Sequence, residues 1–185
     1  MSYIISTERL GLREWVEADI KPFAALNADA DVMRYFPAIL SYDQTDETVK
    51  RIRLQFKTHG YGLYAVEKKD TKEFIGFTGF SIPSFESFFT PCVEIGWRFK
   101  KEAWGKGYAT EAARSCLAYG FEKLNLDKIV SFTAVINTPS ENVMKRTGMN
   151  KTGEFNHPKI DMDSPLCRHV LYEIHKKAGT LRGSG

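Results

Sequence analysis

At 185 residues the chain is the size of one domain with a sizeable core. An apolar share of 43% beside 26% charged residues excludes a disordered or collagen-like chain, and no run approaches the 18 apolar residues of a membrane span. A net charge of +3 without a clustered basic stripe argues against a nucleic-acid module, and three scattered cysteines with four histidines at no ligand spacing argue against a disulfide framework or a metal site. Cys92, Cys116 and Cys167 are therefore expected as free thiols. The opening MSYIISTERLGLRE shows no apolar leader core, so the expectation is a cytoplasmic protein with no membrane, metal or nucleic-acid partner.

In chain order, Arg9 to Glu14 (RLGLRE) alternates leucine with polar residues and predicts a first strand. A helix is expected around Ala18 to Ala28, and a second from Asp46 to Thr58, where Val49, Ile52 and Phe56 recur at helical spacing before Gly60 stops it. Tyr61 to Lys68 and Glu73 to Ile82 read as strands joined by the hairpin connection Lys69 to Lys72. Pro83 to Pro91 (PSFESFFTP) is a proline-bounded loop, read chiefly as packing. Cys92 to Phe99 (CVEIGWRF) is a further strand, with Gly96 marking a bulge or a close approach. Ala109 to Leu124 carries an apolar stripe of alternating steps of three and one, a buried helix. Ile129 to Ile136 is a β-branched strand. Thr138-Pro139-Ser140-Glu141 opens a short helix with Thr138 as the expected N-cap, and Gly148 ends it. His169 to His175 is the last strand. These elements make one mixed α/β domain over 1–177, with 178–185 expected as a disordered tail.

The junction WGKGYATEAA, residues 104–113, joins a strand to the stripe helix through two glycines around a lysine. Unpaired amides at a helix start attract anions. On these residues alone, an anion-holding loop and a glycine turn with solvated lysines both fit. A P-loop does not: its glycine-lysine pair needs serine or threonine next, and Gly107 stands there. A dinucleotide fingerprint lacks its third glycine, because Thr110 fills that position.

With these segments in view, the chain resembles the GNAT superfamily of N-acetyltransferases. Their signature is glutamine or arginine, two residues, glycine, one residue, glycine or alanine; here Trp104-x-x-Gly107-x-Ala109 matches apart from its first residue. EIGWRFKKEAWGKGYATEA is similar to the Rim-type branch, which includes ribosomal-protein N-terminal acetyltransferases, and TERLGLRE, FIGFTGF, NTPSENVMKRTGM and LCRHVLYEI extend the likeness over nearly the whole chain. The resemblance implies an α/β (α+β) GNAT fold: a mixed, mostly antiparallel sheet, helices on both faces, and two central strands, Cys92–Phe99 and Ile129–Ile136, splayed around acetyl-CoA. It implies that Trp97, Arg98 and Phe99 pair their backbone with pantetheine. It also implies that Trp104, Gly105, Lys106, Gly107, Tyr108, Ala109 and Thr110 wrap the pyrophosphate, and that Gly96 forms the bulge that parts the strands.

By the same resemblance Glu94 is the candidate base, against a plain reading as a solvent-facing or salt-bridged strand residue. Asn137 is expected to touch the pantetheine, with Asn142 also facing the cofactor. Ser140 is the candidate acid, because Met144 occupies the position where many relatives carry a thiolate-protonating tyrosine. Tyr35, Phe36 and Pro37 follow the first helix, where acceptors often bind; His169 is read as structural. The implied activity is acetyl transfer to a protein N-terminus or a small amine by a monomer or homodimer, with a non-catalytic acyl-CoA sensor as the alternative.

Overall fold

The computed structural model describes residues 2–177; the tail expected over 178–185 lies outside them. Leucine alternation in the first predicted strand becomes β2 (Leu10–Arg13), which pairs with a two-residue strand β1 (Ile5–Ser6). The first helix, α1 (Ile20–Ala28), forms as expected and is followed by a short turn of helix, α2 (Ala30–Met33). The second predicted helix, α3 (Tyr42–His59), begins four residues early. Ser41 caps it, and Gln44 returns a hydrogen bond to the Ser41 amide, a capping box that sets the start before the apolar period begins.

Strands β3 (Leu63–Lys68), β4 (Phe74–Ser81), β5 (Glu94–Phe99) and β6 (Lys128–Ala134) follow, with α4 (Tyr108–Glu122) between the last two. The predicted stripe of α4 is buried at Ala112, Ala113, Cys116, Leu117 and Gly120. The chain ends with α5 (Thr138–Arg146), β7 (Asn150–Asn156) and β8 (Arg168–His175). β7 escapes sequence reading because NKTGEFN is polar and buries only Phe155, as suits an edge strand.

The eight strands form one sheet in the order β1-β2-β3-β4-β5-β6-β8-β7, antiparallel at every pair except β5 and β6. Alternation along β4 sends Phe77 to one face, where it meets Phe23 of α1 at 5.8 Å, and Phe80 to the other, beneath Gly120 of α4. The β4–β5 register runs unbroken from Gly76↔Phe99 to Ser81↔Glu94. Gly96 therefore forms no bulge, contrary to expectation. The parting occurs on the other side of β5, where β6 pairs at Glu94↔Val130 alone.

The start of α1 is moored by a buried ion triad. The Arg13 guanidinium makes a two-pronged contact with Asp19 (2.7 and 2.9 Å), and its Nε donates to Glu67 at 2.8 Å. Both carboxylates raise the Arg13 pKa further against the opposing effect of burial. The triad locks α1 to β2 and β3. Removing the cation would strand two buried carboxylates, so Arg13→Ala should cost about 3–5 kcal/mol and lower the thermal midpoint by about 6–20 °C near neutral pH. A melting curve within a degree or so of the parent would show that the triad does not hold the fold.

Candidate active site

The single bridge between β5 and β6 is completed by Val130 donating its amide to Val93 O at 2.9 Å and by the Ser131 hydroxyl donating to Ile95 O at 2.9 Å. Beyond it the strands diverge around a cavity of about 640 Å³. The strand's two-residue period fixes what faces the gap. The Lys100 amide donates to Ile75 O of β4, whereas Val93 O accepts from β6. Even-numbered peptide groups of β5 thus point to β4 and odd-numbered ones to the gap. Trp97 and Phe99 present their backbone to the opening. Arg98, expected to do the same, turns its peptide groups to β4 and its side chain into the cavity.

Glu94, Gly96 and Arg98 share one face of β5 on the cavity wall. A side chain at Gly96 would find open space, with Glu94 Oε1 4.0 Å away as its nearest neighbour. The glycine thus leaves the cavity wall bare between Glu94 and Arg98. Glu94 accepts a 3.0 Å hydrogen bond from Ser81 at Oε2, and no cation pairs with it among the described residues. Burial pushes its pKa up to about 7, with the Ser81 hydroxyl opposing weakly. The salt-bridged strand residue weighed from the sequence is not what the structure contains.

Across the gap, α5 begins one residue earlier than expected. Asn137, not Thr138, is the N-cap: its Oδ1 accepts the Ser140 amide at 3.3 Å and its Nδ2 donates to Thr133 Oγ1 at 2.8 Å. Asparagine is at least as strong a cap as threonine, and the Thr133 bond holds it in place. Glu141, in the first turn of the helix, accepts from Tyr172 Oη at 2.7 Å. Ser140 lines the cavity, and its hydroxyl has no partner among the described residues. Met144 is buried in the same wall; Asn142 is half-buried and does not line the cavity.

Trp104 and Ala109 carry the cavity wall out to the glycine loop. The Trp104 indole donates to Phe99 O at 2.9 Å, capping one of the gap-facing carbonyls. Gly105 and Gly107 hold φ of +72° and +79°, a left-handed backbone that side chains strain, and the loop leaves exposed amides at the head of α4. Sequence reading missed what braces this loop. Arg9 donates to Lys106 O at 3.0 Å, stacks 4.6 Å over Tyr108 and pairs with Glu111, which also accepts from Thr7 at 2.6 Å. Arg9 and Glu111 stood in two segments noted for family likeness, but no spacing rule joins residues a hundred positions apart.

Arg34, Tyr35, Phe36 and Pro37 close the cavity from the stretch after α2, and His157, Lys159, Ile160 and His169 close it from the sheet's far side. The His169 ring contacts Cys167 O at 3.1 Å, and burial lowers its pKa to about 4. The ring is therefore uncharged at neutral pH. Phe85 and Phe89 of the 83–91 loop pack with Val130, Phe155 and Leu171 in a satellite core.

The cleft between the parted strands thus brings together a carboxylate, a hydroxyl and a helix start, and likeness to known proteins makes this an acyltransferase fold. The chain belongs to the GNAT acetyltransferase family: the family model described as Acetyltransferase (GNAT) domain matches residues 9–150. It is 34% identical over 151 residues to the N-acetyltransferase YnaD of Bacillus subtilis, covering 82% of this chain and 85% of the relative. The fold matches a GNAT-family acetyltransferase of Bacillus anthracis with a TM-score of 0.78 at 27% identity, over 94% of this chain and 99% of that one. It also matches a spermidine N-acetyltransferase of Vibrio cholerae, solved with CoA and spermine, with a TM-score of 0.73. That likeness, at 21% identity over 92% of this chain and 97% of the other, is one of fold alone. The protein is accordingly an acetyl-CoA-dependent acyltransferase. No helix among the described residues is long and apolar enough to cross a membrane.

The environment that raises the Glu94 pKa also weakens the fold. Because the folded-state pKa lies above the ordinary 4.5, the contribution of Glu94 is complete below about 4.5 and is lost as pH rises through about 7. Glu94→Gln, which cannot ionise, should match the parent's melting temperature near pH 4 and exceed it near pH 8, as thermal unfolding across that range would register. Equal melting at both ends would show that the carboxylate is not desolvated.

Proposed function

We propose that this enzyme transfers the acetyl group of acetyl-CoA to a primary amine, either a peptide N-terminal α-amine or a small-molecule amine, with Glu94 as base and Ser140 as acid. The observation that carries this reading is Glu94 itself: a cavity-wall carboxylate without a cation, poised at about 7. A group of that pKa accepts a proton from an ammonium or attacking amine at neutral pH and releases it again. A non-catalytic acyl-CoA binder would have no use for it.

Acetyl-CoA, when bound, supplies an activated acyl carbon on a thiol leaving group. The residues around the cleft suit its parts. The gap-facing peptide edges of Trp97 and Phe99 match an amide-bearing pantetheine laid along β5 as an added strand. The bare backbone of Gly105 and Gly107, the amides of Tyr108, Ala109 and Thr110 at the helix start, and the Lys106 charge match a pyrophosphate. Trp104 walls the passage between them. Asn137 is committed at both ends of its amide to capping α5 and to Thr133, so it shapes this wall and aims Ser140. Asn142 and the Arg98 backbone have no part in the proposal.

In the reaction Glu94 takes the amine proton, directly or through one water, as the new C–N bond forms. Ser140 gives its hydroxyl proton to the sulfur as the C–S bond breaks and regains one from solvent. Holding both reactants in the cleft contributes alongside this proton traffic.

An acceptor screen read by mass spectrometry, with ribosomal-protein N-terminal peptides and small amines in parallel, tests the activity; no acetylated product from any amine would overturn it. The parent's kcat/KM should rise with pH through about 7 as Glu94 loses its proton. Glu94→Gln should lower kcat by about 10²–10⁴ and flatten that rise, whereas parental rates at every pH would remove Glu94 from the role. Ser140→Ala should lower kcat by about 10²-fold while KM for acetyl-CoA stays near the parent's, and undiminished turnover would assign the leaving-group proton elsewhere.

A further inference from the structure

The Arg98 side chain is not used by the reaction above, yet it stands in the cavity four residues along the strand from Glu94 and on the same face. Its guanidinium is seated with care. Nη1 donates to Asn27 Oδ1 at 2.6 Å, and Asn27, fully buried, donates in turn to the buried Thr45 hydroxyl at 3.1 Å. The ring of Phe36 lies 4.0 Å from the guanidinium carbon and that of Phe77 lies 5.5 Å away. Nε is buried without a partner, and no carboxylate pairs with the group among the described residues.

Arg98 is half-buried with its Nε fully shielded, and arginines so withdrawn from water are ordinarily paired with an acid. Arg13 of the same chain is satisfied by two. Arg98 receives a neutral amide where an aspartate would fit, so its charge is left over. Desolvation lowers its pKa only to about 10, and it stays protonated at neutral pH. The rest of the wall does not cancel it. Arg34 and Lys159 add positive charge, the Asp31 carboxylate is held by Lys101, and burial keeps His157 and His169 neutral. Apart from Glu94 the acceptor half of the cavity is a cationic compartment, ill suited to a polyamine.

We propose that the acceptor is an amine that carries a separate anionic group, a carboxylate or a phosphate, and that Arg98 is the specificity-determining residue that receives it. A planar fork with free N–H groups grips either oxyanion in the same way. Glu94 and Arg98 stand four residues apart on one face of β5, roughly 13 Å along the strand, so the acceptor's amine and its anion are groups spaced along its length. This inference rests on the acetyl-transfer reading, and its test is built to fail independently.

The probes are ω-amino acids, aminoalkyl phosphates, plain alkylamines and diamines of matched chain length. The enzyme should favour the acids and phosphates over the alkylamine by about 10- to 100-fold in kcat/KM, the range of a charge-assisted hydrogen bond, and should use diamines least. Arg98→Gln should bring that ratio to about one, and so should Asn27→Asp, which supplies an internal carboxylate; Arg98→Lys should keep part of it. A ratio unmoved by these changes, or a preference for diamines, would overturn the proposal. So would an equal loss of CoA affinity and no loss of discrimination, which would assign the guanidinium to the donor. Calorimetric titration of N-acetyl ω-amino acids into the CoA-bound enzyme gives a readout independent of turnover. Binding that Arg98→Gln abolishes would sustain the anion site even if acetylation failed, and no binding to the parent would sink it.

Discussion

Two neighbouring strands of the sheet, β5 and β6, run parallel, share one bridge at Glu94 and Val130, and then separate. A parallel pair that stays in register would satisfy its own peptide groups; this one leaves the odd-numbered edge of β5 short of partners in the middle of the domain. Unpaired backbone groups away from water carry a cost, and each must find water, a side chain or a ligand. The protein meets part of the need itself, with Ser131 on Ile95 O and the Trp104 indole on Phe99 O. What remains is a strand-shaped vacancy in hydrogen bonding. The cavity and the position of Glu94 on its wall follow from that separation.

Around this gap the two halves of the domain contribute differently. The α4 side is rigid. Its loop is tied to the turn before β2 by Arg9, Glu111 and Thr7, which fixes the geometry of the helix head. The opposite side is assembled from the stretch after α2 and from the long connection before β8, segments that carry polar and aromatic residues lining the cavity. Such irregular segments are where chemical choice is ordinarily lodged.

The helices and inner strands could be read from the sequence because their burial is one-sided and periodic; the α4 stripe is the plainest case. What was illegible was polar or non-local. β7 has almost no apolar residue to announce it. The start of α3 lies in a capping box that precedes its apolar face. The cap of α5 was misplaced by one residue because Asn137 and Thr138 are both good caps, and only the bond to Thr133 decides between them. Glu94 and the glycine loop were singled out through local pattern and family likeness; Glu94, Trp104 and Ala109 line the cavity, while Gly105, Lys106, Gly107, Tyr108 and Thr110 lie outside its wall. The Arg9 brace, the Ser81 bond to Glu94 and the Asn27–Arg98 chain join residues remote in sequence, and no periodicity encodes them. Arg98 shows the limit most clearly. Family likeness pointed to its backbone, while strand parity hands its side chain, and not its peptide groups, to the cavity.

That parity has an evolutionary consequence. Along β5 the peptide edge looks one way and the side chains of Glu94 and Arg98, with bare Gly96 between them, look another, so one ribbon presents two separate surfaces. Amino-acid replacement rewrites side chains but leaves the main-chain edge intact, proline excepted. A few codon changes can therefore recast the face that lines the cavity while the hydrogen-bonding edge of the same strand persists unaltered.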